Sequence, residues 1–132
     1  MSYQTFLTAL SGIEVEGVAS RDFRPPANLN REQLPFMYPR IPRLDQTVIG
    51  FQGAVGLNRY IIELVVVVAP FWSKYAIANY DAMIACLDNL NAALATNVMG
   101  LGLEEWSIQG EVDVIGETLY YILVARIVGS EA

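Results

Sequence analysis

The sequence predicts an α+β protein in which a long helix and a short N-terminal helix cover one face of a mostly antiparallel sheet of about four to five strands. Two apolar runs of strand-like composition, residues 59–70 and 119–128, predict neighbouring strands at the centre of that sheet. Residues 78–95 repeat apolar side chains at steps of three and four, which is typical of a helix. The other segments give the element order α-β-β-β-α-β-β over a single domain of residues 1–132.

The first central run, residues 59–70, predicts a strand that is apolar on both faces. Valine and isoleucine dominate it, Glu63 is its one acidic side chain, and Pro70 ends it because proline cannot donate to a sheet. It is too short for a membrane span, which needs about 20 apolar residues. Because an unpaired buried carboxylate is destabilising, we expect Glu63 to pair with Arg126 of the second run or with an arginine of another copy.

The N-terminal third predicts less regular structure. Residues 3–10 predict a short helix with an apolar stripe, and residues 13–18 predict a strand that residues 21–24 extend. Residues 25–34 predict a loop, because paired prolines and asparagines break any period. Residues 34–42 contain three prolines, which forbid a helix and a central strand and leave an edge strand.

Residues 43–58 predict a long glycine-rich loop that contains Gly50, Gly53 and Gly56. Phosphate binding by this loop is disfavoured, because no Lys-Ser or Lys-Thr pair follows and a strand rather than a helix comes next. The loop also carries several apolar side chains: Val48, Ile49, Phe51, Val55 and Leu57. Apolar side chains in a long loop indicate docking onto a partner, with docking onto the loop's own domain as the alternative.

The second half of the chain predicts a helix followed by two strands. The helix is expected to pack on the sheet through a stripe of large side chains: Ile77, Tyr80, Ile84, Leu87, Leu90 and Leu94. Residues 105–114 alternate apolar and polar side chains, and Gly116-Glu117 predicts a turn into the last strand. Cys86, inside the helical pattern, is expected to be a small buried side chain.

The residue types present exclude several kinds of chemistry. The chain has no histidine and one cysteine, which removes Ser-His and Cys-His catalytic pairs, histidine metal ligands and an internal disulfide. Glu111 and Asp113 share a strand face that we expect to be solvated, and no carboxylate cluster has the spacing of a metal site. We therefore expect a protein with no enzymatic activity, no metal and no cofactor.

The charge is unevenly distributed along the chain. Residues 1–73 balance six arginines against six acids, whereas residues 74–132 hold two basic and eight acidic side chains and carry the whole net charge of −6. An acidic surface does not favour nucleic-acid binding, which needs clustered basic residues. The asymmetry suits head-to-tail contact between copies. The sequence shows no secretory signal, and a single cysteine fits a reducing compartment.

The order and local character of these segments resemble the tail terminator proteins of long-tailed bacteriophages over nearly the whole chain. The likeness begins with a short N-terminal helix, the extended Leu-Pro-x-x-Tyr-Pro segment at 34–39 and a long loop. It continues with an apolar strand ending at Ala69-Pro70, an alanine-rich helix, and a last strand preceded by a turn, Gly-Glu-Thr-Leu-Tyr-Tyr-Ile at 116–122. Related neck and tail-completion proteins share this architecture.

The resemblance implies a structural virion protein, assembled in the host cytoplasm, that forms a ring, commonly a hexamer, on the end of the tail tube. Such a ring stops tube polymerisation and offers a docking surface to the head-side neck connector, while DNA passes through its lumen without specific binding. Contact residues are therefore expected rather than catalytic ones: Arg40, Arg43, Phe51, Leu57 and Glu63. The alternatives are another neck or tail-completion protein, or an oligomeric α+β domain that binds a small ligand.

Overall fold

The structure, a computed structural model, describes residues 3–22, 26–27, 29, 33–40, 43–49, 55–71 and 76–130. For residues 43–49 and 55–59, and at Tyr3, Ala76 and Ser130, it describes the backbone alone. The helices and strands of this part of the chain are α1 Tyr3–Ser11, β1 Ser20–Arg21, β2 Phe36–Pro39, β3 Arg43–Ile49, β4 Val55–Pro70, α2 Ala76–Thr96, α3 Val98–Leu101, β5 Leu103–Ile115 and β6 Thr118–Ser130.

The strands form one sheet in which β1, β2, β4, β6 and β5 lie side by side in that order, while β3 pairs with β4. β1 and β2 run parallel, and the other pairs are antiparallel. β6 occupies one edge of β4, so β2 and β3 share the other edge, β2 along residues 64–67 and β3 along residues 55–61. The predicted α+β class and mostly antiparallel sheet are confirmed.

β4 is the central strand that the composition predicts, and it begins at Val55 rather than at residue 59. It pairs with β6 from Arg59 opposite Ser130 to Pro70 opposite Tyr120, so the two apolar runs are neighbours as predicted. β5 pairs with the outer edge of β6, and the turn between them lies at residues 116–117. β4 therefore lies inside the sheet, with strands on both of its edges.

The face of the sheet under α1 and α2 holds the larger core. α1 contributes Phe6 and Leu10, α2 contributes Leu90 and Leu94, and all four side chains are buried. Burying one such side chain stabilises the fold by roughly 1.5–3 kcal/mol. α1 also lies close to β6, since a Cβ added at Gly129 would be 2.5 Å from Cζ of Phe6. The two helices thus cover one face, as predicted.

The opposite face of the sheet, the second face, holds a smaller core. Its buried side chains come from four strands: Phe36, Tyr38, Val65, Val67, Ile115, Tyr120, Ile122 and Val124. Leu29 and Leu34 precede β2 and pack against this cluster, and the Tyr120 hydroxyl donates to the carbonyl oxygen of Leu29 at 3.4 Å. Leu29 and Leu34, from the segment predicted as a loop at 25–34, therefore cover part of the second face from within the same chain.

The predicted strand at 13–18 and 21–24 is wrong in extent, because among the described residues 13–22 only Ser20–Arg21 forms a short strand. Residues 23 and 24 lie outside the described residues. Gly17 has φ +86°, a left-handed conformation that turns the backbone and that glycine adopts without strain. The carbonyl oxygen of Glu16 accepts a hydrogen bond from Nδ2 of Asn89 on α2 at 3.0 Å. The first part of the segment after α1 is therefore bonded to a helix, and the segment pairs with β2 only at Ser20 and Arg21.

The long glycine-rich loop predicted at 43–58 is also wrong in part, since β3 and the first residues of β4 form an antiparallel hairpin there. The register runs from Arg43 opposite Ile61 to Ile49 opposite Val55, and Gly56 lies inside the ladder opposite Val48. Glycines suggested a loop, but the valine and isoleucine content is that of strands. The predicted contact residue Phe51 lies outside the described residues.

The long helix is confirmed, but its buried face differs from the predicted stripe. Leu90 and Leu94 are buried, whereas Ile77, Tyr80 and Ile84 are 82%, 61% and 46% exposed. The side of the first turns that faces the sheet carries smaller or flexible side chains: Asn79, Ala82, Met83 and Cys86. Small side chains let the helix approach the sheet closely, which leaves the larger ones on its flank.

Two contacts hold the first half of α2 in this orientation. Nδ2 of Asn79 donates to the carbonyl oxygen of Pro70 at 3.0 Å, and Cε of Met83 lies 3.0 Å from the position of a Cβ at Gly110. Cys86 is half-buried against the core, and burial raises the pKa of its thiol. Among the helices described, none combines the length and apolar character needed to cross a membrane.

Candidate functional site

Four charged side chains meet on the second face, around Arg40. Arg40 follows β2, and its backbone N–H donates to the carbonyl oxygen of Glu63 on β4 at 2.7 Å. Its guanidinium lies 3.6 Å from a Glu63 carboxylate oxygen, 3.8 Å from one of Glu111 and 3.2 Å from one of Asp113. Because Glu111 and Asp113 belong to β5, Arg40 links the two sides of the sheet. We call these four residues the Arg40 cluster.

The Arg40 cluster carries one positive and three negative charges. Its side chains are 31% to 44% exposed, so solvent screens each pair and a single pair stabilises the fold by no more than about 1 kcal/mol. Glu111 and Asp113 are therefore half-buried partners of Arg40 rather than members of a fully solvated face. The remaining negative charge gives this part of the surface an acidic character.

The partner of Glu63 is an arginine, but not the predicted Arg126. Glu63 and Arg126 lie directly opposite each other in the β4–β6 register, so the strand pairing was predicted correctly. The Glu63 carboxylate nevertheless pairs with Arg40, while Nη1 of Arg126 lies 3.8 Å from a carboxylate oxygen of Glu105 on β5. Arg40 thus pairs with Glu63, Glu111 and Asp113, whereas Arg126 pairs with Glu105.

Tyr38 on β2 borders the Arg40 cluster from the buried side. Burial raises the pKa of its hydroxyl, the nearby Arg40 charge lowers that pKa by less, and the Asp113 carboxylate raises it further. The phenol is therefore protonated at neutral pH. Among the described residues, no group of acidic or cysteine side chains is arranged to hold a metal ion. The cluster is an ion-pair network at the border of a small core.

A second candidate surface is apolar and lies on the helix-covered side of the sheet. Eight large apolar side chains are exposed among the described residues, and seven of them lie on α2, β5 or β6 or directly after β4. These seven form the apolar end patch: Phe71, Ile77, Tyr80, Ile84, Val112, Val114 and Leu119. Exposed large apolar side chains that lie near one another commonly mark a surface that contacts another protein.

The register places the strand members of the apolar end patch together. Val114 on β5 lies opposite Leu119 on β6, and the backbone N–H of Phe71 donates to the carbonyl oxygen of Leu119 at 2.9 Å. The ring of Phe71 packs 4.9 Å, centroid to centroid, from that of Tyr121. The ends of β4, β5 and β6 thus form one apolar surface where the sheet stops.

The helix members lie beside β5. Nε1 of Trp106 donates to Oδ1 of Asn91 at 2.9 Å, and Met83 lies over Gly110, so α2 and β5 run in opposite directions. A helix rises about 1.5 Å per residue and a strand about 3.3 Å. Continued at these rises, the alignment places Tyr80 and Ile77 near the level of Val112 along β5. Ile84 lies on the same flank of α2.

A third feature is an open cleft of about 540 Å³ between the C-terminal parts of α1 and α2. Its walls carry small side chains, among them Ala9, Ala92 and Ala93, and Glu14 and Glu16 also line it. The cleft is the place to look for a small bound molecule.

The structure brings together two of the predicted contact residues, Arg40 and Glu63. Arg43 and Leu57 lie in the β3–β4 hairpin, where their backbones face Ile61 and Thr47, and Phe51 lies outside the described part. The apolar end patch was not predicted, because the stripe of α2 was expected to be buried. A signal was present in the alternation of β5, whose apolar positions continue to Val112 and Val114.

Neither the known protein-family models nor the curated protein sequences include a match to this chain.

Proposed function

We propose that this chain is a structural protein of the phage virion that assembles into a ring on the end of the tail tube. The resemblance in segment order described above supplies the family. The observation that carries the proposal is the apolar end patch, which gives a small protein a surface suited to contact with another protein. The ring terminates tail polymerisation and presents a docking surface to the head-side neck connector.

The charge distribution supports a protein that DNA passes without being bound specifically. The acids of β5 and the Arg40 cluster leave the second face with more negative than positive side chains. A surface of this sign repels the phosphate backbone rather than binding it, which suits a lumen that DNA crosses. In this proposal the protein has no catalytic step, and its place is the neck of the virion after assembly in the host cytoplasm.

Two measurements test the ring. Light scattering on the purified protein at high concentration should give a mass near that of six copies of 14.6 kDa, about 88 kDa. Electron microscopy should then show the protein at one end of purified tail tubes, and tube subunits should no longer add there. A protein that neither assembles nor binds tube ends overturns the proposal.

A different neck or tail-completion protein is the alternative within the same class. It also predicts an oligomer, but one that binds the head-side connector and leaves tube elongation unchanged. The two are separated by adding the purified protein to polymerising tube subunits and measuring tube length. Shorter tubes that end in a ring support the terminator, and tubes of unchanged length support the alternative.

The cleft between α1 and α2 favours a second candidate function, the binding of a small ligand. Its volume of about 540 Å³ is in the range of ligand pockets. Ligand binding raises the melting temperature by mass action. A small-molecule screen by thermal unfolding, repeated on an Ala93→Phe variant that fills the cleft, tests it. A rise in the melting temperature of the original protein alone would support this function.

A further inference from the structure

The outer edge of β5 presents backbone groups to which another strand can bond. In the described part of the chain, β5 pairs with β6 alone. Antiparallel strands direct the N–H and C=O groups of alternate residues away from the partner strand. Counted from the two-residue turn at 116–117, Ile108, Gly110 and Val112 direct these groups outward. An edge of this kind is a template for pairing with a further strand.

The flank of α2 that faces this edge carries exposed apolar side chains. Nε1 of Trp106 on β5 donates to Oδ1 of Asn91 at 2.9 Å, so the side of α2 that carries Asn91 faces β5. Ile84 and Ile77 precede Asn91 by seven and fourteen residues, which places them on the same side of the helix. Both are exposed, as is Val112 on the same face of β5 as Trp106. A strand added at the outer edge of β5 would lie beneath this flank of α2.

The charges of β5 decide the register in which a second copy of this strand can pair there. Antiparallel pairing of two identical strands is centred on one residue, and the outward groups of β5 allow each of residues 108–112 as the centre. Like charges directly opposite each other in a ladder are destabilising. Centring on Gln109, for example, places Glu105 opposite Asp113. Within this range, Gly110 is the one centre that places no acidic side chain directly opposite another.

This one register also matches side chains of like character. Ile108 of one copy lies opposite Val112 of the other on the face under α2, and Gln109 lies opposite Glu111 on the second face. Both pairs occur twice, because a two-fold axis relates the copies. A carboxylate oxygen of Glu111 lies 3.8 Å from the guanidinium of Arg40 in its own chain, which offsets the acidic charge beside the seam between the two strands.

We propose that two copies of the free protein pair through antiparallel β5 strands centred on Gly110, which joins their sheets into one. The outward backbone groups of Ile108, Gly110 and Val112 bond to those of the other copy. A two-fold axis perpendicular to the sheet keeps both α2 helices on the same face. The exposed flank of each α2 then lies over the β5 strand of the other copy, and this contact covers part of the apolar end patch.

This pair goes beyond the proposed ring and does not rest on it. A two-fold contact uses the same surface on both copies and closes on itself, whereas a ring with different tube and connector sides needs head-to-tail contacts. The pair is therefore a state of the free protein, in which the outer edge of β5 is covered before assembly. Its mass is that of two copies of 14.6 kDa, about 29 kDa.

A charge exchange at the seam tests the register. Gln109→Glu places a carboxylate opposite Glu111 twice and should raise the dissociation constant of the pair on the order of 10-fold. Adding Glu111→Gln to this variant again leaves a neutral side chain opposite each carboxylate, and should return the dissociation constant to within about 2-fold of the original. Met99→Glu is the control for added charge, because Met99 is exposed outside the apolar end patch. Sedimentation at several concentrations measures the dissociation constant, and circular dichroism verifies that each variant is folded.

A disulfide between the copies gives a second measurement of the same register. Gln109→Cys and Glu111→Cys are made as separate variants, each with Cys86→Ala so that the introduced thiol is the only one. Directly opposite residues of a non-hydrogen-bonded pair have Cα atoms about 4.5 Å apart, within the range of a disulfide. The mixture of the two variants should therefore cross-link under air oxidation. Either variant alone should cross-link far more slowly, because identical positions lie diagonally about 7–8 Å apart.

The outcomes separate the pair from the proposed function. If the pair forms, responds to the charge exchange and cross-links as expected, but the protein binds no tail tube, the pair stands and the tail terminator proposal fails. A protein that stays monomeric at its highest soluble concentration, or that assembles without forming a pair, overturns the inference. The inference is also wrong if Gln109→Glu leaves the dissociation constant unchanged, if Glu111→Gln fails to restore it, or if the mixed cysteine variants cross-link no faster than either alone.

Discussion

The two ends of the α2–sheet interface differ in how they are covered. At one end, the closed end, Phe6 of α1 packs against the sheet and the second half of α2 buries Leu90 and Leu94. At the other, the open end, the first half of α2 and the ends of β5 and β6 expose the apolar end patch. The side chains at both ends are of similar type. Their burial differs because α1 lies over one end only.

The difference shows that an apolar stripe in the sequence identifies a surface that must be buried. It does not identify the element that buries this surface. At the closed end the cover belongs to the same chain. At the open end, our proposals assign it to the next copy. Substitutions at the closed end should therefore change the stability of the monomer, and those at the open end should change assembly.

The largest effect is expected at the strand on which both ends are built. Val65 on β4 is fully buried in the second-face core. Val65→Asp places a carboxylate among apolar side chains, which destabilises the fold by several kcal/mol, so the variant should be unfolded at room temperature. Circular dichroism checks it, with Val65→Ala as the milder control. A native spectrum and an unchanged melting temperature for Val65→Asp would contradict the central position of β4.

A pair of alanine variants compares the two ends directly. Leu94→Ala at the closed end leaves a cavity and should lower the free energy of unfolding by about 2–5 kcal/mol. Ile84→Ala at the open end removes an exposed side chain and should change it by less than about 0.5 kcal/mol. Urea unfolding under monomeric conditions measures both. Equal losses in the two variants would mean that the open end belongs to the core of the monomer.

At the closed end, α1 approaches β6 closely because Gly129 on β6 has no side chain. A Cβ at Gly129 would be 2.5 Å from Cζ and 2.7 Å from Cε2 of Phe6, so Gly129→Ala forces the ring or the helix to move. Overpacking of this kind destabilises by typically 1–3 kcal/mol. Thermal unfolding measures the loss, and Phe6→Leu in the same chain should recover part of it. Gly100→Ala is the control, since a Cβ there meets no atom within 4 Å.

A small loss of stability is expected at the Arg40 cluster, outside the comparison of the two ends. Arg40→Met removes the positive charge and leaves three carboxylates without it. Because these groups are partly solvated, the free energy of unfolding should fall by no more than about 1 kcal/mol, and the difference should change with salt. Arg126→Met, whose arginine pairs with Glu105, is the matched control. Unfolding at low and high salt measures both variants.

The sequence predicts the main architecture because the repeat of apolar side chains is clearest in long strands and helices. The two central strands, their pairing, the alternation of β5 and the existence of α2 all follow from local patterns. Pairing of Glu63 with an arginine also follows, since a carboxylate in an apolar run needs a partner. The choice of Arg40 depends on how β2 ends beside β4, which no local pattern contains.

The errors have a common physical origin in tertiary contacts. Glycines in residues 43–58 suggested a loop, but the β3–β4 ladder accommodates Gly56 as a strand residue. The predicted stripe of α2 took Ile77, Tyr80 and Ile84 as buried, whereas Ala82, Met83 and Cys86 face the core and Met83 packs over Gly110. The predicted strand after α1 turns instead at Gly17 and bonds to Asn89. In each case a partner distant in sequence decides the outcome.

Amide hydrogen exchange at low and high protein concentration tests the central claim most directly, namely that a second copy covers the open end. Peptides that span residues 77–84 and 108–119 should exchange more slowly as the concentration rises and the mass increases. Peptides from α1 and from residues 88–96 should exchange equally at both concentrations. A rise in mass that leaves residues 77–84 and 108–119 unchanged would contradict the account, because the copies would then meet elsewhere.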